Sequence, residues 1–371
     1  MLSIGFIGYR GMVGSVLINR MIQEGDFNKI NPVGFSTSNA GGKNPIPNSK
    51  NSNLLDAYDI DELMKLDCIL TTQGSDYTNN VLPKLRECGY AGYFIDASSA
   101  LRMKNDTIIV LDPVNKDQII HGLKNGIKNF AGGNCSITLS LLGLNGLFKE
   151  NLVEWVSMMT YQAASGAGAQ NVRELLEQMG KIHEENHNHI NDKNTPILDI
   201  MSNVNNTILN QSFPTNAFGA PLAGSLIPWI DADLNNGSSK EEWKGEVEAN
   251  KILGLTPGTI KVDGLCIRVS AVRSHSAAIT MKLNRDLSVE EIEEKLKKNE
   301  WINYIPNNKS DSLKYLNPVA TFESLKIAVG RLKKSNIGDN IYNIFTVGDQ
   351  LLWGAAEPVR RMLNILVDYH K

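Results

Sequence analysis

Short apolar runs alternate with segments of helical spacing over the first third of the chain. Residues 2–8 (LSIGFIG) predict a buried strand, and MVGSVLINRMIQEG then carries apolar residues at the spacing of a helix that ends at Gly25. The alternation continues through NPVGFSTS, DELMKLDCILTTQG, YTNNVLPKLRECG and YFIDASSALR. Such a series predicts a parallel sheet covered by helices.

The middle of the chain has a different pattern. A longer strand, VEWVSMMTYQAASG, precedes a helix, NVRELLEQMGKIHEENHNHI. The segment GLCIRVSAVRSHSAAITMKL then predicts two strands, and its long alternation favours an antiparallel sheet. The last segment, VGDQLLWGAAEPVRRMLNILVDYH, predicts a helix with a broad apolar face that we expect to pack against the first domain.

Composition excludes several classes of protein. The net charge of −3, with no basic block, argues against binding to nucleic acid. No apolar run is long enough to span a membrane, and the N-terminus lacks the features of a signal peptide. The four cysteines lie far apart without a CxxC pair, which argues against a disulfide framework or a structural zinc site. We therefore expect a protein of the reducing cytoplasm.

A glycine-rich turn follows the first predicted strand. Gly8, Gly11 and Gly14 are spaced three apart, a variant of the G-x-G-x-x-G pattern that lets a dinucleotide pyrophosphate approach the N-terminus of a helix. The alternative is a turn without a ligand, but the strand and helix that the pattern requires are both predicted. The turn therefore favours a dinucleotide site.

The end of the second strand bears on which dinucleotide is bound. NAD-binding folds usually place a carboxylate there, against the ribose 2′-hydroxyl. This chain has Ser36, Thr37 and Ser38 instead, and Arg10 in the first turn could supply a charge opposite to a 2′-phosphate. We therefore expect NADP rather than NAD.

These patterns together predict an α/β protein of two domains. Residues 1–133 and 350–371 would form a Rossmann-like dinucleotide-binding domain. Residues 134–349 would form an inserted α+β catalytic domain with a mostly antiparallel sheet, to which the family resemblance given below adds the role of dimerisation.

One of the four cysteines, Cys135, has a setting that suits a nucleophile. Asn134 before it is a good helix N-cap, SITLSLLGL can continue as a helix, and Gly133 could leave room for a substrate. A thiol in the first turn of a helix experiences the positive end of the helix dipole, which predicts a lowered pKa. The alternative is a buried, inert cysteine, as we expect for Cys68 and Cys266.

A nucleophilic thiol needs a base, and His275 is the best candidate among six histidines. It lies in AVRSHSAAI, at a predicted bend near the end of the sheet; a surface histidine in a turn is the alternative. Arg268 is seven residues away, so an unbroken strand would direct the two side chains to opposite faces. Both can reach one site only if the strand ends or bulges between them.

Many stretches, in one order over essentially the whole chain, resemble the aspartate-β-semialdehyde dehydrogenase family, of the type found in Gram-negative bacteria. They are GFIGYRGMVGS, FSTS, QGSDYTN, DASSALRM, GGNCS, TYQAASGAG, PLAGSLIPWID, EEWKGEVEANKIL, VDGLCIRVSAVRSHS and FTVGDQLLWGAAEP. The resemblance implies the reduction of β-aspartyl phosphate by NADPH to aspartate semialdehyde and phosphate. It also implies a homodimer and a place in the synthesis of lysine, threonine, methionine and diaminopimelate.

The resemblance also implies roles for the matching positions. Cys135 would form a thioester, His275 would be the general acid/base, and Gln162 would position the thioester. Substrate-binding roles fall to Arg268 and Glu241 for the carboxylate and ammonium ends, to Arg102 and Lys244 for the phosphate, and to Asn134. The implied NADP site comprises Gly8, Arg10, Gly11, Met12, Val13, Gly14, Thr37, Ser38, Gln73, Ser165, Gly166 and Gln350. The choice of Glu241 over its neighbour Glu242 rests on the resemblance alone.

A second motif suggests a different function. HEENH, His183 to His187, matches the HExxH pattern of zinc peptidases, but its polar surroundings favour a solvated helix end, and we expect no metal. Two further alternatives are a related reductase acting on N-acetylglutamyl phosphate or a phosphorylated sugar aldehyde, and a non-catalytic NADP-binding regulator. The first would lack the substrate group of Arg268 and EEWKG, and the presence of Cys135 and His275 argues against the second.

Overall fold

The first sheet has seven parallel strands. The computed structural model describes all residues, 1–371. In chain order the strands are β1 (Ser3–Ile7), β2 (Asn31–Ser36), β3 (Leu55–Asp56), β4 (Cys68–Thr71), β5 (Tyr93–Asp96), β6 (Thr107–Val110) and β7 (Asn129–Gly132). Their spatial order is β3-β2-β1-β4-β5-β7-β6, and every pair is parallel. The central strands β4 and β5 are buried along their whole length because helices cover both faces of the sheet.

Six α-helices complete this part of the chain. The helices are α1 (Met12–Gln23), α2 (Ile60–Met64), α3 (Ser75–Glu87), α4 (Asp112–Lys124), α5 (Cys135–Gly143) and α6 (Asn145–Phe148). Almost every residue of α5 is buried, because this helix leads from β7 into the core under the second sheet. Cys135 therefore stands at the junction of the two sheets.

The second sheet is mixed. Its strands are β8 (Val153–Gln162), β9 (Lys261–Asp263), β10 (Cys266–Arg268), β11 (His275–Leu283), β12 (Ile302–Tyr304), β13 (Ile327–Lys334) and β14 (Ile341–Gly348). The four long strands pair antiparallel in the order β8-β11-β14-β13, whereas the short strands β9, β10 and β12 pair parallel with their neighbours. The predicted antiparallel character thus holds for the long strands.

The remaining helices are α7 (Ala169–Asn191), α8 (Ile197–Leu209), α9 (Lys240–Ile252), α10 (Val289–Lys297), α11 (Lys309–Tyr315) and α12 (Glu357–Tyr369). The last of them returns to the first domain, as its apolar face predicts. Val359, Met362 and Leu363 of α12 are buried in one cluster with Ile4 and Phe6 of β1. No helix is long and apolar enough to cross a membrane.

The predicted fold class, a Rossmann-like domain with an inserted α+β domain, is confirmed by this architecture. The first sheet uses residues 3–132 and the second uses residues 153–348. The domain boundaries at 133/134 and 349/350 stay predictions.

Candidate active site

A cleft of about 430 Å³ opens beside Cys135 between the two sheets. Its walls contain most of the residues to which catalytic or substrate-binding roles were given from sequence. They are Arg102, Asn134, Cys135, Gln162, Glu241, Lys244 and Arg268. Four of the expected cofactor-binding residues, Val13, Ser165, Gly166 and Gln350, line the same cleft. The fold thus brings together residues that are up to 337 positions apart in the sequence, from Val13 to Gln350.

The thiol occupies the first position of α5, as predicted. The side-chain oxygen of Asn134 accepts hydrogen bonds from the backbone N–H groups of Ser136 (2.9 Å) and Ile137 (3.1 Å), so Asn134 caps the helix. Gly133 does not leave space for a substrate, because a Cβ there would lie 2.6 Å from Thr138 Cγ2. That expectation was wrong: the glycine makes room for the protein's own core.

The environment of the thiol opposes its ionisation. Cys135 is half-buried at the cleft, and protein atoms surround its side chain closely enough that desolvation raises the pKa of Cys135 to about 11, with a further contribution from the charge of Glu241. Arg268, Arg102 and Lys244 act in the opposite direction. The predicted lowering of the Cys135 pKa is therefore wrong, because desolvation and the charge of Glu241 outweigh the three cations.

His275 is buried at the start of β11. β10 ends at Arg268, the chain turns through Ser274 in the left-handed region (φ 74°), and β11 begins at His275. The strand therefore ends between Arg268 and His275, as their joint presence in one site requires. Both reach the backbone of Gly166, where a Cβ would lie 2.8 Å from Arg268 Nη1 and 2.9 Å from His275 Nε2.

The hydrogen bonds of His275 assign its tautomer. Nδ1 accepts from the backbone N–H of Ala163 at 3.1 Å, so the neutral ring carries its proton on Nε2, which has no partner in the protein. Burial, and then the charge of Arg268, lower the pKa of His275 to about 3. No hydrogen bond joins the ring to Cys135. In this geometry His275 is a neutral side chain with a free N–H donor.

A buried polar network joins Asn134, Gln162 and α9. Glu241 Oε1 accepts from Asn134 Nδ2 (2.8 Å) and Gln162 Nε2 (3.2 Å), and its Oε2 accepts from Lys244 Nζ (3.1 Å). Burial alone would raise the pKa of Glu241, but Lys244 and the two amides hold it below its usual value. Lys244 also donates to Asp231 at 2.6 Å.

The N-terminus of α9 separates the two adjacent glutamates. Ser239 and Glu242 form a capping box, in which the Glu242 carboxylate accepts from the Ser239 N–H at 2.8 Å. Glu242 is therefore committed to the cap, and Glu241 is directed into the cleft.

Two arginines complete the cleft. Arg102 Nε donates to the Gly132 carbonyl at 2.7 Å, and Arg268 Nη1 donates to the Ala163 carbonyl at 2.9 Å. Both guanidinium groups are almost completely buried and are held from the backbone. Their remaining N–H donors are available for an anion.

A separate groove of about 250 Å³ runs along the glycine-rich turn. It is lined by six of the expected cofactor residues, Gly8, Arg10, Gly11, Thr37, Ser38 and Gln73, and also by Tyr9, Phe35 and Ser36. Arg10 Nη2 donates to Ser38 Oγ at 2.7 Å, which brings the two groups expected to bind a 2′-phosphate together.

Two of the glycines are required by geometry. Gly8 has φ 84°, and a Cβ on Gly14 would lie 2.2 Å from the Gly8 carbonyl oxygen, so α1 can approach the turn only without a side chain there. Gly14 and Met12 line neither cavity. The cradle fits a dinucleotide, and Gly14 contributes through packing.

Comparison with known proteins places this architecture in a family. A model described as semialdehyde dehydrogenase, NAD binding domain, matches residues 3–121, and one described as semialdehyde dehydrogenase, dimerisation domain, matches residues 144–353. Aspartate semialdehyde dehydrogenase from Francisella tularensis is 48% identical over 99% of this chain and 100% of that one, with a TM-score of 0.94. The chain belongs to the aspartate semialdehyde dehydrogenase family.

More distant structures share the fold of the family. Aspartate semialdehyde dehydrogenase II from Vibrio cholerae, complexed with ASA, is 22% identical with a TM-score of 0.81, over 100% of this chain and 99% of that one. The enzyme from Candida albicans, with NADP, is 14% identical with a TM-score of 0.66 and full coverage of both chains. Membership of the aspartate semialdehyde dehydrogenase family makes the chain an oxidoreductase with an NAD(P)-binding domain and a dimerisation domain.

Three residues in or directly behind the cleft were not identified from the sequence. Gly354 lies in a π-helical turn, Leu352–Ala356, and a Cβ on it would lie 2.6 Å from Cys135 Cβ. Asp231 pairs with Lys244, and Glu248 lies behind the cleft in contact with Arg102. No local pattern marks these three residues, because each acquires its role through a contact that is distant in sequence.

Two other features do not form part of the site. A larger groove of about 550 Å³ near Trp301 has mostly charged and polar walls, and two of its carboxylates are paired, Asp112 with Arg361 and Glu150 with Lys295. His183 and His187 of the HExxH match are exposed on α7, and no group of three metal-ligating side chains surrounds them. The absence of a metal from the function stays a prediction.

Proposed function

We propose that this protein catalyses the NADPH-dependent reductive dephosphorylation of β-aspartyl phosphate to aspartate semialdehyde through a thioester on Cys135. The observation that carries the proposal is a thiol at a helix N-terminus, in one cleft with three cations and beside a dinucleotide-binding fold. An acyl phosphate is an anionic, activated electrophile, and a thiol among cations is suited to displace its phosphate.

The cleft contains groups for each charge of this substrate. Arg102 and Lys244 would bind the phosphate, and Arg268 would bind the α-carboxylate through its remaining donors. Glu241 is the buried carboxylate for the ammonium group, and Gln162, hydrogen-bonded to it, would position the thioester carbonyl.

His275 is best suited to donate a hydrogen bond rather than a proton, because its neutral ring would become an anion if Nε2 lost its hydrogen. As the thiol attacks, the C–S bond forms, the C–O bond to phosphate breaks, and the proton of the thiol leaves with the phosphate as hydrogen phosphate. When bound, NADPH supplies a hydride to the thioester carbon. His275 Nε2–H, which has no acceptor in the protein, would donate a hydrogen bond to the oxyanion that results, and a proton from solvent then gives the thiohemiacetal. Collapse of the thiohemiacetal then releases the aldehyde and returns the thiol.

NADP is part of this proposal rather than NAD. The support is the groove in which Arg10 and Ser38 lie within hydrogen-bonding distance, with no carboxylate in its lining. A Ser38→Asp variant would place a negative charge against a 2′-phosphate. We expect it to raise the KM for NADP by roughly tenfold or more while changing that for NAD much less. Equal changes in the two values would contradict the assignment.

The quaternary structure and cellular setting are also inferred. We infer a homodimer that uses the second sheet and its helices, since the family's dimerisation domain covers residues 144–353. A place in the synthesis of lysine, threonine, methionine and diaminopimelate, in the cytoplasm, would follow from the reaction.

The reaction can be tested in the oxidative direction. Purified protein with aspartate semialdehyde, phosphate and NADP should form NADPH, followed at 340 nm, only when phosphate is present. The Cys135→Ala variant should be inactive although folded. Absence of a signal from folded wild type would reject the substrate, and activity in the variant would reject Cys135 as the nucleophile.

A further inference from the structure

Glu248 lies behind the cleft, on the same face of α9 as two residues of the site. Glu241, Lys244 and Glu248 follow at intervals of three and four residues. Only 1% of Glu248 is exposed, so it does not line the cleft. A carboxylate as buried as this requires specific partners.

Both carboxylate oxygens of Glu248 have such partners, and the partners belong to the site. Oε2 accepts from the backbone N–H of Asn134 at 2.6 Å, and Oε1 accepts from Arg102 Nη1 at 3.1 Å. Asn134 is the N-cap of the helix whose first residue is Cys135. One side chain therefore joins the helix of the thiol to the guanidinium group on the cleft wall.

The bonds of Arg102 define which of its donors remain. Nε is used by the Gly132 carbonyl at 2.7 Å and Nη1 by Glu248, whereas Nη2 makes no hydrogen bond within the protein. A guanidinium group fixed in this way loses little rotamer freedom when an anion binds.

We propose that Glu248 is a positioning residue for the reaction. It fixes the separation between Cys135 and the phosphate-binding face of Arg102, so that an acyl phosphate held by Arg102 presents its carbonyl carbon to the thiol. Reacting groups need this placement to within a fraction of an ångström. The inference rests on the proposed function, in which Arg102 binds the phosphate.

The test compares Glu248→Gln with a matched control, Glu246→Gln, on the same helix. Glu246 is partly exposed and its salt-bridge partner is Lys261, at 3.6 Å and away from the cleft. The glutamine at 248 can keep one acceptor for Asn134 but loses the charge opposite Arg102. We expect the KM for phosphate to rise roughly tenfold, with the KM for aspartate semialdehyde changed less than about twofold. The control variant should match wild type in both.

A binding measurement that needs no turnover separates this inference from the proposed function. Inorganic phosphate should protect Cys135 from alkylation by iodoacetamide, and the concentration that gives half protection should rise by the same factor of about ten in Glu248→Gln. If wild type forms no NADPH but phosphate protection still weakens in the variant, the proposed reaction fails and the positioning role survives. Unchanged protection in the variant would overturn the inference.

A double-mutant cycle excludes a purely structural effect. If Glu248 acts through Arg102, the phosphate KM of Arg102→Ala should be nearly the same with and without Glu248→Gln. If the two effects multiply instead, or if both KM values of Glu248→Gln rise together with a loss of thermal stability, Glu248 is only a structural residue. Glu248→Asp, which keeps the charge on a shorter side chain, should restore the phosphate KM to between those of wild type and Glu248→Gln.

Discussion

Gly354 allows a direct test of how tightly the protein packs around Cys135, the proposed nucleophile. A Cβ at this position would lie 2.6 Å from Cys135 Cβ, 2.9 Å from Cys135 Cα and 3.3 Å from Gln350 Cβ. Non-bonded carbon atoms prefer separations of about 3.5–4.0 Å. Alanine at 354 therefore requires a relative movement of roughly 1 Å between the turn and the first residue of α5.

Neither side can move freely to relieve this contact. The start of α5 is held by the Asn134 cap and by Glu248, and the turn is held by Trp353, which is fully buried and donates to the Leu325 carbonyl at 2.9 Å. A displacement of about 1 Å at a reacting group costs on the order of 100-fold in rate. Overpacking of this kind costs about 1–3 kcal/mol in stability, so the variant should still fold.

The assay is phosphate-dependent NADPH formation by Gly354→Ala, beside Gly245→Ala as control. A Cβ on Gly245, in α9, would have its nearest atom at 3.5 Å, an ordinary contact, and should leave the rate unchanged. We expect kcat to fall roughly 100-fold in Gly354→Ala with circular dichroism like that of wild type. A rate within about threefold of wild type would refute the reasoning, since Cys135 would then tolerate a displacement that the geometry forbids.

Three further predictions concern charge. Asp231 has a left-handed backbone (φ 72°) that asparagine also tolerates, so Asp231→Asn should fold normally. The substitution removes the carboxylate that competes with phosphate for Lys244, and we expect the KM for phosphate to fall about threefold. A rise in this KM would show that Asp231 assists binding. A raised pKa leaves Cys135 mostly protonated, so its alkylation rate should rise about tenfold per unit between pH 7 and 9, whereas a plateau near pH 8 would contradict a value of about 11. Arg273→Met leaves the fully buried Asp349 without its cation. We expect the free energy of unfolding, measured by urea titration, to fall by about 3 kcal/mol, and a fall of less than about 1 kcal/mol would show that this ion pair contributes little to stability.

The sequence predicts most of the fold because hydrophobic pattern determines burial locally. The runs that form β1, β4 and β5 are mostly apolar, as is typical of strands covered on both faces, and α12 shows the single apolar face of a helix packed against a sheet. The short strands β9, β10 and β12 carry too few residues for a pattern, so their parallel pairing at the second sheet was not predicted.

The site was less predictable where its properties depend on three-dimensional surroundings. The position of Cys135 at the start of a helix follows from Asn134 and the glycines, and this prediction agrees with the structure. The raised pKa of Cys135 does not follow from that local sequence, because it is caused first by burial in the folded protein and then by the charge of Glu241, more than one hundred residues away. The same reason explains the wrong expectation for Gly133, whose neighbours Ile109 and Ile252 are core residues distant in sequence.

The charges of the cleft explain how the two cations proposed to bind phosphate, Lys244 and Arg102, could stay paired before a substrate arrives. Lys244 is shared by Asp231 and Glu241, and Arg102 is paired with Glu248. Two of these carboxylates are deeply buried and fixed by other bonds, whereas the Asp231 side chain is 35% exposed at the edge of the cleft. Asp231 is therefore the one carboxylate that an incoming phosphate can displace at low cost, while Glu241 and Glu248 keep Lys244 and Arg102 in place. In the proposed function, selectivity for phosphate would then depend on one exposed ion pair that exchanges and two buried pairs that do not.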